Sequence, residues 1–173
     1  VPISVKANDD PESPSNATSS RKLIYNTSIN LVVEDMQKTV QAFTELINRV
    51  DGFVASNRMT SQVKSAQSGQ WVIRVPSTQY GQTLNEILKL GRAENVSERT
   101  TDVTEEFIDT QARLVNSKRL EERIVKLLED RSGKLSDILE IERELARVRE
   151  TIERIEGRLR FLADQTSLAT ITL

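Results

Sequence analysis

Four carboxylates, Asp102, Glu105, Glu106 and Asp109, crowd into eight consecutive residues. Carboxylates a few ångströms apart can hydrolyse a glycosidic bond or hold a divalent cation through their oxygens. A nearer explanation is local. The apolar spacing downstream predicts a helix beginning at about residue 104, and three of the four acids fall where a helix start favours negative charge. Asp102 with Glu105 has the spacing of a capping box. Helix physics accounts for the cluster without a substrate, so no catalytic residue is assigned to it.

The rest of the composition narrows the chemistry further. The 173 residues contain no histidine and no cysteine. Zinc sites built from those ligands, cysteine nucleophiles and histidine-based triads are therefore excluded within this chain. Gly52, Gly81 and Gly91 lack the spacing of a phosphate-binding loop, and Ser68-Gly69-Gln70 reads as a turn. Trp71 shares a strand face with Ile73 and Val75, the pattern of core packing rather than ligand stacking. The expectation is a protein that is not an enzyme and takes no cofactor and no metal.

The elements that would position these residues fall into two halves. From Lys22 to Glu34, Leu23, Tyr25, Ile29, Leu31 and Val33 alternate with Asn26, Ser28 and Asn30, which predicts a half-exposed strand. Asp35 caps a helix with Met36, Val40, Phe43, Ile47 and Val50 on one side, and Asp51-Gly52 ends it through a left-handed glycine. A second strand places Phe53, Ala55 and Met59 on its inner face. After a turn over 64–70, Trp71, Ile73 and Val75 make a third strand, and Pro76-Ser77 opens a helix carrying Tyr80, Leu84, Ile87 and Leu88. Residues 92–103 read as a polar edge strand. Strand, helix, strand, strand, helix, strand is the order of an α+β ferredoxin-like split β-α-β sandwich.

The second half is heptad-patterned. Ile138, Ile141, Leu145, Val148, Ile152, Ile155, Leu159 and Leu162 step by three and four. Phe107, Leu114, Ile124, Leu127 and Leu128 offer a matching stripe upstream, and a Gly-containing turn at Ser132-Gly133 makes the two helices antiparallel neighbours. At about 1.5 Å per residue the arms of this coiled-coil hairpin would be roughly 40 and 45 Å long. The alternating Ala169, Ile171 and Leu173 then return to the sheet as a last strand. The division is a flexible linker over 1–21, a sandwich over 22–103, the hairpin over 104–165 and the last strand over 166–173.

Two places on the hairpin are candidate interaction sites. The first is mid-arm, where Asn116, Ser117, Lys118 and Arg119 break the stripe and Val148 faces only Ser117 and a lysine stem. Lysine stems or a second chain would complete that seam. The second is the tip, where Arg131 and Lys134 are exposed by the reversal. The mixed Arg and Glu of 142–160 read as a solvated exterior with intrahelical pairs rather than an anion-binding surface.

Charge and hydropathy bound the partners. The formal net charge is −2, which does not favour nucleic acid or a general anionic surface. No apolar run approaches the roughly 18 residues of a membrane span. The N-terminus is rich in Asp, Pro, Ser and Asn and reads as a spacer, and it lacks the basic start and apolar core of a signal peptide. Any anchor would lie outside these residues.

The stretches "DVTEEFIDTQARL" at 102–114, "WVIRVPSTQYGQTLNEILKLG" at 71–91 and "ILEIERELARVRETIERIEGRLRFLADQTSLATITL" at 138–173 closely resemble the bacterial domain-of-unknown-function family 4349. The resemblance covers nearly everything after Lys22. It implies a lipoprotein or otherwise membrane-anchored envelope protein, extracytoplasmic, with a lipid-attachment signal before the domain and a membrane helix after it. It brings no catalytic residues. The expected role is a non-catalytic interaction, spacer or assembly module whose partner is a protein, another copy or another envelope component. Two rivals remain. One is an envelope sensor whose sandwich binds a small ligand and signals through the hairpin. The other is a carboxylate hydrolase at Asp102 and Glu105.

Overall fold

The computed structural model describes residues 21–60, 67–129 and 135–173. The elements follow the predicted order: β1 (Leu23–Val32), α1 (Met36–Arg49), β2 (Phe53–Thr60), β3 (Ser68–Pro76), a 3-10 turn at Ser77–Gln79, α2 (Tyr80–Leu88), β4 (Arg92–Asp102), α3 (Thr104–Glu129), α4 (Leu135–Ser167) and β5 (Leu168–Thr172). The class is α+β. Residues 1–20 of the expected 1–21 linker lie outside the described residues.

All five strands form one mixed sheet in the order β2-β3-β5-β1-β4. β5 runs parallel to β1 and antiparallel to β3, so the last strand of the chain is the middle strand of the sheet. Alternation dictates the faces. Ile29 of β1, Ile73 and Val75 of β3, and Ala169 and Ile171 of β5 point to one side, where they are at most 1% exposed. Phe43, Leu46 and Ile47 of α1 and Tyr80 and Ile87 of α2 close over them as one apolar cluster.

Two helix ends show how local chemistry sets the boundaries. Asp35 caps α1 as expected, its carboxylate accepting from the Lys38 N–H at 3.1 Å. At the other end the left-handed residue is Asp51, with φ 53°, and among the described residues no glycine takes positive φ. Gly52 is required for a different reason: a Cβ there would stand 2.9 Å from Val75 Cγ1 and 3.0 Å from the Arg74 carbonyl oxygen. The glycine lets the chain enter β2 against β3.

Two further expectations are corrected. Phe53 and Met59 are 51% and 56% exposed rather than inward, because β2 is an edge strand whose ends no helix covers. Its register is also broken by an irregularity between Val54 and Ser56. Ser68, Gly69 and Gln70 belong to β3 rather than to a turn.

One polar contact sits inside the core. Thr27 Oγ1 and the Tyr80 hydroxyl are 2.6 Å apart and buried, and the Tyr80 ring stacks on Tyr25 with centroids 4.7 Å apart. Burial pushes the Tyr80 hydroxyl up to about 12; the Thr27 hydrogen bond opposes this and Glu98 adds to it. The Thr27→Val variant removes the hydroxyl and strands its partner, which should lower stability by about 1–3 kcal/mol in denaturant unfolding. Adding Tyr80→Phe should recover part of that loss, since neither group then lacks a partner.

Candidate functional site

The hairpin grows from a root in which three elements are tied together. The β1 start donates from the Lys22 N–H to Thr104 Oγ1 at 2.9 Å, and the Val103 N–H donates to the Lys22 carbonyl at 2.8 Å. Thr104 also donates twice to Asp102 Oδ1, from its hydroxyl at 2.6 Å and its backbone N–H at 2.9 Å. Asp102 therefore caps α3 through Thr104, two residues on, rather than through Glu105. The Lys22 ammonium lies 5.1 Å from the centre of the Phe107 ring. On the far side Arg74, pointing away from Ile73 and Val75, pairs with Asp164 of α4 at 2.6 Å.

From this root α3 runs for 26 residues and α4 for 33. At about 1.5 Å per residue that is ~39 and ~50 Å. Every predicted seam position of α4 from Ile138 to Leu162 is buried or half-buried. Its partner stripe is Phe107, Thr110, Leu114, Ser117, Glu121, Ile124 and Leu128, all buried or half-buried. Leu127, expected in the stripe, is 49% exposed. The α3 seam is thus a regular heptad pattern in which Thr, Ser and Glu occupy three places.

The mid-arm mismatch resolves through register. Val148 packs in one cluster with Ile124, Leu145 and Ile152, so it does not face Ser117. Glu121 accepts from Arg149 at 2.7 Å and Glu156 from Lys118 at 2.7 Å. Ser117 lies on the root side of both levels, next to Lys118 and one turn from Glu121. A third cross-helix pair joins Glu106 to Arg158. Intrahelical pairs at Glu144–Arg147 and Glu150–Arg154 fill the exterior of α4 as anticipated, and Asp109–Arg113 does the same on α3. The cross-helix pairs were missed in the sequence. Their signal was there in the opposite charges flanking each seam, but it becomes readable only once the antiparallel register is known.

Among the proposed interaction residues, Val148 is 6% exposed and spent inside the seam. Asn116 and Arg119 are exposed and line a shallow groove on α3 with Glu122 and Arg123. Lys118 is held by Glu156. Arg131 and Lys134 lie outside the described residues.

The acidic cluster is dispersed into structural duties. Asp102 caps, Glu106 meets Arg158, and Asp109 meets Arg113. Glu105 remains in a shallow depression with Asp102, Thr104, Ile108 and Asp109. Among the described residues no group of three or more acids is arranged to hold a metal ion. No described helix is long and apolar enough to cross a membrane.

A third concavity lies in the sandwich. The start of α1, the ends of β1 and β5, and the beginning of β3 enclose a crevice of about 230 Å³ lined by Leu31, Val40, Phe43, Trp71 and their neighbours. The Phe43 and Trp71 rings meet there edge-on with centroids 6.3 Å apart.

With these elements in place, a family model covers residues 21–173, the root, the hairpin and the sheet together. The chain belongs to the family described as a domain of unknown function (DUF4349). No curated protein and no solved structure matches it. The DUF4349 domain here thus unites the sandwich and the hairpin in one sequence unit.

Two outcomes follow for the hairpin. Ile152→Ala empties the centre of the seam and should cost about 2–4 kcal/mol, seen as faster hydrogen exchange across both arms. Acid should weaken the fold at two carboxylates. The Thr104 hydroxyl, then its N–H, holds Asp102 below its ordinary 3.8, and the Lys118 ammonium holds Glu156 below its ordinary 4.5. A depressed folded pKa stabilises above the unfolded value, and that help is lost as pH falls through the folded one. Thermal midpoints should therefore fall on acidification below about 4.5, and the Asp102→Asn/Glu156→Gln double variant should show a flatter acid limb.

Proposed function

We propose that this domain is a non-catalytic interaction and spacer module of a membrane-anchored protein of the bacterial envelope. The observation that carries this reading is the hairpin: two arms of 26 and 33 residues, braced at the root and along the seam, that place a surface far from the sheet. A lever of this kind serves reach and contact. The envelope setting rests on the resemblance noted in the sequence, and the dispersal of the acidic cluster into caps and ion pairs weighs against hydrolysis at Asp102 and Glu105.

The sandwich itself we read as a ferredoxin-like unit with an added central strand. In support, setting β5 aside leaves the order β4-β1-β3-β2, with α1 and α2 over one face. The partner is a protein, either another copy or a second envelope component, engaged by the outer half of the arms and the tip.

Removing residues 115–128 and 142–155 takes two heptads from each arm and should leave the sheet folded. In cells, photo-crosslinkers placed along the arms should capture partners mainly from the outer half, and the shortened chain should lose them. The Arg131→Glu/Lys134→Glu pair should weaken capture at the tip. A captured set unchanged by both shortening and charge reversal would remove the interaction reading.

A further inference from the structure

We propose that the crevice between α1 and the sheet is a binding site for a small, uncharged, hydrocarbon-rich molecule. The site stands apart from the hairpin and does not depend on how the arms are used. Its walls are apolar, with Leu31, Val33, Met36, Val40, Phe43 and Trp71 the main contributors. The polar groups that reach it, from Asn30, Thr39, Gln67 and Ser68, are all neutral. No charged side chain is among the described lining residues. Asp35, at the adjoining α1 start, is committed to the helix cap and paired with the Lys38 ammonium at 3.6 Å, so no unpaired cation among these groups is offered to an anionic ligand.

Two close approaches hold the space open. A Cβ on Gly69 would stand 2.1 Å from the Trp71 indole, so the ring lies back across its own strand over that glycine. The largest side chain of the region therefore forms a wall instead of filling the gap. On the other side a Cβ on Gly91 would stand 2.7 Å from the Val32 carbonyl oxygen and 2.7 Å from Val33 Cγ1. That contact draws the chain after α2 against the end of β1, where Leu90 and Val33 make the facing wall. The crevice leaves apolar side chains facing water, and an apolar occupant of matching size would gain by covering them.

Size selects the ligand. A dry apolar cavity of about 150 Å³ takes benzene, and drug-sized sites begin at about 300 Å³. The crevice, at about 230 Å³, falls between them. By the same ratio it suits roughly nine non-hydrogen atoms, a short aliphatic chain or a single substituted ring.

Trp71 is the only tryptophan in the chain and reports on the site directly. Titrating the intact domain with 1-octanol should give a saturable change in Trp71 emission with one equivalent per chain, and a raised thermal midpoint. Sodium octanoate should bind at least tenfold more weakly. In the Val40→Phe variant, which fills the crevice, the octanol response should vanish. Methyl NMR of the unaltered chain gives an independent reading: octanol should shift Val33, Met36 and Val40 while leaving Ile87 unmoved. A linear, unsaturable response, equal binding of octanoate, or shifts spread over the whole core would each overturn the assignment.

Discussion

The fold hangs on where its last strand lies. β1 and β3 are joined through β5, whose Ala169 and Ile171 are 0% exposed at the centre of the sheet. The sandwich therefore cannot complete itself until the chain returns from the 65 residues of 103–167. A flexible segment of that length would carry a large closure entropy and long-range contacts that form late. Two antiparallel helices solve this locally. Their contacts build outward and inward from a short connection, and once the seam is closed the ends of the excursion are already side by side. The hairpin is thus a structural requirement of the sheet as well as a projection from it.

The ion pairs across the arms have a matching role. Exposed pairs contribute little each, about 0–1 kcal/mol. Their worth lies in choosing one register. An apolar stripe on α4 could slide against a partner by a heptad, but Glu106, Glu121 and Glu156 each meet a cation at only one alignment. The polar Ser117 and Glu121 in the α3 stripe act in the same sense, since a shifted register would bury them against the wrong turn. Seam strength is exchanged for a defined return point, which is what β5 needs.

Much of this was legible beforehand. Periodicity found every element, because the inward residues of β1 and β3 and the heptads of α4 have two-residue and 3.5-residue patterns that few alternatives share. What periodicity cannot carry is pairing. Nothing in Leu168 to Thr172 distinguishes a central strand from an edge strand, and its insertion between β1 and β3 follows only from the position of the root. Phe53 and Met59 alternate correctly and still face solvent, since alternation fixes a side without fixing what covers it. Asp102 was identified as a cap, yet its partner was misassigned: Asp-x-Thr and Asp-x-x-Glu both occur there, and the contact from Lys22 to Thr104 decides between them. The crevice left no mark in the residue pattern, because it depends on an indole folding back over Gly69.

The heptad seam has a consequence for how such domains vary. Inserting or deleting seven residues in each arm returns the seam to the same face and leaves the root, with its Lys22, Thr104 and Asp102 contacts, untouched. An increment of three or four residues would instead unwind or overwind the seam locally. Reach therefore changes most simply in steps of about 10 Å. Arm length becomes a stepped dimension that can be altered without altering the sheet.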